Sequence, residues 1–155
     1  MALDREAIYT ALFSRLSGLA GFITTSRVWK HWDDVIPDEQ PALFLSQGNE
    51  MLSQQLHGMP PVWKLQPMVY IYCRHDSDPA TIPGSTLNVL IQAVEGALER
   101  TPTEATGPFG GPNEWSTTLG GLCSYVKIDG QIVTDEGLLG EQAVCVIPLE
   151  ILTTS

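Results

Sequence analysis

The sequence predicts an α+β domain: a mixed, largely antiparallel sheet of about five strands, two helices packed on one face, and long loops. Two stretches, residues 4–19 and 85–100, repeat apolar side chains at helical spacing. Several others, the strongest at 62–74 and 142–152, are runs rich in β-branched and aromatic residues. Strands and helices do not alternate for long enough to build a doubly wound parallel sheet.

In the first helix Ile8, Ala11, Leu12, Leu16 and Leu19 form the apolar stripe, with Arg5, Glu6, Ser14 and Arg15 largely off it. Asp4 is its N-cap, and Gly18 or Gly21 its stop. RVWKHW at 27–32 alternates, setting Val28, Lys30 and Trp32 against Arg27, Trp29 and His31, which predicts a short strand with its tryptophans on opposite faces. An acidic, turn-rich connector, DDVIPDEQP, leads to Pro41 and a second strand in ALFLSQ. Its partner is VWKLQPMVYIYCR, where Pro67 has no N–H to give a ladder and so predicts a bulge or an edge. Residues 48–61 between them, GNEMLSQQLHGMPP, read as a loop too long for a tight hairpin.

HDSDPATIPG is a polar turn-rich loop, after which Ser85 caps a second helix with Leu87, Leu90, Ile91, Val94 and Leu98 on one stripe. Residues 101–121, rich in Pro, Gly and Thr, form a long loop. Strands follow at 125–127, 131–134 and 142–152. Asp129-Gly130 makes either a hairpin turn or a bulge in one longer strand, and DEGLLGE at 135–141 is a connection. Pro148 gives the last strand an edge position or a bulge.

A chain of 155 residues is the length of one domain, here 1–155, and buries enough surface to fold without disulfides or metal. With 8 Lys+Arg against 18 Asp+Glu it carries a formal charge of −10, the wrong sign for clamping nucleic acid or docking on anionic membranes. Three scattered cysteines fit buried thiols in a reducing cytosol. No cationic start precedes an apolar run, and no apolar run reaches the roughly 20 residues that span a bilayer, so a soluble chain made in the cytoplasm is expected.

Catalytic patterns are weak. His75, Asp76 and Asp78 could offer a nitrogen and two oxygens to a divalent metal. Neighbours on an extended segment point apart, however, and Asp and Ser before Pro79 are what a turn requires. A small metal-dependent enzyme using these three residues is therefore the lesser alternative. His31 and His57 lack a partner at ligand spacing and belong on the surface. No serine lies in a G-x-S-x-G elbow. Cys73 and Cys145 sit in apolar strand sequence as inert thiols, while Cys123, after a glycine pair, is expected to be accessible. GPFGGP at 107–112 lacks the Lys-Ser/Thr pair of a phosphate loop. The pairs Asp33-Asp34, Asp38-Glu39 and Asp135-Glu136 read as solvated surface. No catalytic residue, cofactor or metal is expected.

Apolar side chains in exposed sequence contexts are the stronger signal. Met51, Leu52, Leu56 and Met59 lie in one predicted loop, Phe109 and Trp115 in another, and Trp29 shares a short strand with Trp32. Tryptophan and methionine are enriched at the cores of protein interfaces. These loops either fold back on the sheet or meet a partner, and their occurrence in two separate places favours the partner.

The layout resembles the tail terminator (tail completion, minor tail) proteins of long-tailed bacteriophages. The likeness spans nearly the whole chain: a leading amphipathic helix, a strand and acidic turn, P-A-L-F-L, a long loop, V-Y-I-Y and a D-x-D-P loop. A helix reading L-N-V-L-I-Q-A-V-E-G-A-L and a last strand A-V-C-V-I-P-L-E-I complete it. The resemblance implies a non-enzymatic virion protein of the tail or neck. Such a protein forms a homo-oligomeric ring, usually hexameric, that caps the tail tube, ends its polymerisation and joins the tail to the head connector. The implied partners are copies of itself, the tail tube protein and a head–tail connector protein, with DNA passing through unbound and no membrane involved. By position, 51–59 and 109–115 are the contacting loops. A different neck or connector subunit is the runner-up. Six copies would carry about −60, and a channel of that sign repels phosphate.

Overall fold

A computed structural model describes residues 2–75, 80–109 and 115–155. The chain starts with α1 (Arg5–Ser17), opened as expected by Asp4, whose carboxylate accepts the Ala7 amide at 3.0 Å, and closed at Gly18. Then follow β1 (Thr24–Ser26), two 3-10 turns (Trp32–Asp34 and Pro37–Glu39), β2 (Ala42–Gln54), β3 (Val62–Arg74) and α2 (Pro83–Ala97). The chain ends with β4 (Tyr125–Ile128), β5 (Val133–Leu139) and β6 (Gln142–Thr154). These strands make one six-stranded sheet in the order β1-β2-β3-β6-β4, with β5 also on β6. Only β1 runs parallel to its neighbour; the rest pair antiparallel, so the α+β class and mixed sheet stand as predicted.

Register explains the layers. Leu43 faces Ile71 and Ile71 faces Cys145, so odd-numbered positions of β3, β6 and the first half of β2 share a face. Leu43, Leu45, Val69, Ile71, Ala143, Cys145 and Ile147 are buried there with Ile8, Leu12 and Leu16 of α1 and Leu87, Leu90, Val94 and Leu98 of α2. Each of the larger aliphatic side chains contributes roughly 1.5–3 kcal/mol on burial. The even positions form a smaller cluster, Ala42, Phe44 and Tyr72, covered by Val35 and Trp32 from the segment before β2. That segment is pinned by a buried reciprocal amide pair, Gln40 and Gln142, each donating to the other at 2.9 Å.

Several expected boundaries need correction. Residues 48–54 are not loop: β2 and β3 form one hairpin of 13 residues a side, and the connection is only 55–61. The pairing absorbs an extra residue between Ser46↔Met68 and Asn49↔Gln66, a bulge at Gly48 (φ 66°) opposite Pro67. Pro67 thus sits at a bulge even though β3 is interior to the sheet. The stretch 47–54 is exposed throughout, so no buried face imposes an alternation that sequence could show.

RVWKHW is not a strand. The strand falls earlier, at Thr24–Ser26, and Ser26 then turns the chain by accepting the Val28 amide at 2.9 Å. The His31 ring nitrogen accepts the Asp33 amide at 3.3 Å, capping a 3-10 turn where the alternation had suggested extension. Helix α2 starts at Pro83, whose missing N–H costs nothing in a first turn, so Ser85 is internal and not the cap; the helix ends at Ala97, not Arg100.

At the C-terminus the two readings of Asp129-Gly130 resolve to the bulge. Ile128 pairs with Leu149 and Val133 with Val146, leaving 129–132 opposite Ile147 and Pro148 alone. The Asp129 amide donates to the Pro148 carbonyl at 3.0 Å. The strand expected at 131–134 is Val133–Leu139, running through most of DEGLLGE with a second bulge between Asp135 and Leu139; only Gly140 and Glu141 turn to β6. Cys123 is fully buried, not accessible.

Candidate protein interface

Of the three residues weighed as metal ligands, Asp76 and Asp78 lie outside the described residues. His75 is half-buried, and its amide donates to the Glu141 carbonyl at 3.0 Å. Among the described residues no group of three His, Cys, Asp or Glu side chains is placed to hold a metal. Burial pushes the thiols up, Cys123 to about 12 and Cys145 to about 11, with Cys73 also raised, so all three are held as unreactive SH groups. Among the described residues no helix is long and apolar enough to cross a membrane. His31 and His57 are exposed.

The apolar residues singled out from sequence are exposed, but they do not form one patch. Three converge. The 55–61 turn at the end of the hairpin, closed by the Met59 amide on the Leu56 carbonyl at 3.0 Å, brings Leu56, Met59 and Pro60 beside Pro108 and Phe109. With Val62 and the polar Gln54 and Thr154 they wall a groove of about 360 Å³. Leu56 is 53%, Met59 63% and Phe109 50% exposed, and what sets them apart from the singly exposed apolar side chains is that they line one groove together. Residues 51–62 and 105–109 contain no Asp, Glu, Lys or Arg. In a chain of net −10, the described residues that wall this groove carry no formal charge and are mostly apolar.

Met51 and Leu52 lie on the adjoining strand arm, half-exposed and on opposite faces of β2. Since β1 pairs only with 42–44, the outer edge of β2 at 46–54 has no strand beside it among the described residues. Trp115, the most exposed at 82%, lines a different and shallower hollow with Leu98, Val126 and Ile128. Trp29 is on the opposite face of the sheet, edge-on to Tyr70 with ring centroids 5.7 Å apart.

Two charged clusters were not foreseen. On the face away from the helices, Glu150 is buried and accepts the Tyr125 hydroxyl at 2.7 Å, with Lys127 at 3.4 Å and Lys64 at 3.7 Å. Burial alone would raise its carboxyl, but the tyrosine and the two ammonium groups outweigh it and hold it below the usual range. The second cluster centres on Glu104, in the loop that carries Phe109. Its carboxylate is buried against Thr117, Thr118 and Arg15. TTLGG at 117–121 supplies its hydroxyls and permissive glycines, 13–16 residues beyond the acid they serve, a separation at which no local pattern links them.

No protein-family model and no curated protein matches the sequence. Among solved structures, a chain from the virion of a native gene transfer agent particle is similar in fold, with a TM-score of 0.55 and 10% identity over 97% of this chain and 96% of that one. At that identity the likeness is one of architecture, and it extends almost end to end in both.

Proposed function

We propose that the chain is a structural virion protein acting as a single domain: a ring, hexameric by the resemblance noted from sequence, that caps a phage-type tail tube and ends its polymerisation. Its upper side would join a head connector protein. The observation that carries this reading is the neutral apolar groove at the hairpin tip, where two loops distant in sequence expose Leu56, Met59 and Phe109 together. Such a surface is costly to leave wet and is repaid on contact with a partner. The likeness in fold to a chain of a gene transfer agent virion supports the same class. Capping is mechanical: the ring covers the growing end and offers no equivalent surface above it. Head-to-tail contacts that close at a fixed rotation give a ring and not a filament. Nothing in this mechanism calls for a catalytic residue, a cofactor or a metal.

The decisive experiment is size-exclusion chromatography with light scattering on the chain alone and with tail tube protein. A closed ring that binds tube ends and halts their growth is the expected result. Replacing Phe109 and Trp115 by alanine should weaken assembly and leave cooperative unfolding intact. A chain that stays monomeric with tube protein, or that co-assembles only with portal protein, would reassign it to another place in the virion.

A further inference from the structure

The connection from α2 to β4, residues 98–124, is described at 98–109 and 115–124 and carries Phe109 and Trp115. Among its described residues the only ladder contact is one bridge between Glu99 and Ser116. Much of its order comes from one carboxylate. The Glu104 side chain is 4% exposed. Its Oε1 accepts the Thr117 hydroxyl, the Thr118 amide at 2.7 Å, the Thr118 hydroxyl at 3.3 Å and the Gly120 amide at 3.2 Å. Its Oε2 accepts the Thr101 amide at 3.2 Å and pairs with Arg15 of α1 at 3.1 Å. Arg15 also donates to the carbonyls of Ala97 at 2.7 Å and Glu99 at 3.1 Å, where α2 gives way to the segment.

The turn that receives Glu104 does not form cheaply. Leu119, Gly120 and Gly121 all have positive φ (53°, 74° and 95°), and Leu119 is a buried residue with a Cβ in the left-handed region. The Thr118 and Gly120 amides converge on one carboxylate oxygen, and the Leu119 amide between them donates to the Thr117 hydroxyl at 3.0 Å, which in turn donates to the same oxygen. Here the anion is supplied from within the chain.

We propose that Glu104 is the positioning residue of the interaction surface: a built-in anion that ties 101–109, with the Phe109 wall of the groove, to 117–120 in the contact shape before any partner arrives. This rests on the function proposed above. Preordering of this kind acts on the fraction of free chains competent to bind, and therefore on association. A role in fold stability alone would lower the unfolding midpoint and leave association unchanged wherever the chain is folded.

The test uses the full chain carrying Glu104→Gln. Amide exchange at Thr118 and Gly120 should quicken by about tenfold or more with β3 and β6 unaffected, since local opening is separable from global unfolding. Assembly with tube protein should slow by about tenfold while the formed cap dissociates at the wild-type rate. Unchanged exchange in the segment overturns the proposal, as does faster exchange with wild-type association. If that variant fails to fold, Thr117→Val removes one donor and keeps the carboxylate, and the same two readouts should move the same way by less. If the wild-type chain does not assemble at all, the functional reading has failed; the exchange measurement then decides separately whether Glu104 orders the segment.

Discussion

At the scale of single residues, the buried carboxylates set the pH response. Burial by itself would raise the Glu104 carboxyl, but the bonds from Thr117, Thr101, Gly120 and Thr118 prevail and bring it down to about 2. Its ordinary value is 4.5, so the folded chain holds the ionised form more tightly than the unfolded chain does. The stabilisation is complete above the unfolded value and is lost as pH falls through the folded one, and the shift is worth roughly 3 kcal/mol. Arg15 faces this group from α1, and the Cys123 thiol, itself pushed up by burial and by Glu104, stays neutral in that range. Urea unfolding between pH 5 and pH 2 should therefore show a steep loss of stability in the wild type and a distinctly shallower one in Glu104→Gln. Glu150 and Glu6 also titrate low and contribute the remaining slope in both proteins. Parallel profiles would remove Glu104 from the account. Nothing in the sequence around Glu104 marks it: an acid in a Thr/Pro-rich run looks solvated, and every residue it bonds except Thr101 is distant in sequence. Asp4, whose partner Ala7 is three residues away, was legible for the opposite reason.

At the scale of elements, the same contrast separates what was read correctly from what was not. Helix α1 and strands β3 and β6 bury a regular set of positions, and burial is what imprints periodicity on sequence. The distal half of β2 buries none of its residues, so its strand state comes from β3 beside it, and composition alone suggested a loop. RVWKHW shows the converse error, since alternation without a neighbouring strand does not make one. The hairpin depends on the bulge at Gly48, where a Cβ would stand 2.1 Å from the Gln66 carbonyl oxygen with φ already at +66°. Gly48→Ala should cost roughly 2–4 kcal/mol in chemical unfolding, from backbone strain plus a clash that no side-chain motion relieves. Gly58→Ala in the connecting turn has a similar φ of +77° but open space around it, and should cost only about 1–2 kcal/mol. Equal costs would mean that the close approach at Gly48 is not what shapes the arm. The groove at the arm's tip has a separate test. Leu56→Asp places a charge among Met59, Pro60 and Phe109 at a position already half in water, so the unfolding midpoint should hold while assembly falls by more than about tenfold. An undiminished assembly in that variant would move the contact elsewhere on the molecule.

For the whole molecule, the distribution of charge matters more than its total. The acids of the segment before β2, Asp33, Asp34 and Asp38, are exposed, and Glu136 and Glu141 lie where β5 turns into β6, all far along the sheet from the tip. The tip itself is free of formal charge from 51 to 62. Copies brought together by an apolar contact would therefore associate against mutual repulsion, and six of them would gather about −60. Salt screens that repulsion, with a Debye length of about 10 Å at 0.1 M and about 3 Å at 1 M, and leaves burial of apolar surface nearly untouched. Raising salt from about 0.02 M to about 0.5 M should accordingly shift self-association to lower protein concentration, as followed by light scattering. Interfaces built on ion pairs respond in the opposite direction, so assembly that weakens with salt would show that charged side chains, and not the groove, join the copies. The same charge makes retention on duplex DNA at low salt an unfavourable event, because a net charge of −10 repels phosphate. In the ring proposed above that repulsion would favour passage of DNA, and the salt series tests the protein contact on its own.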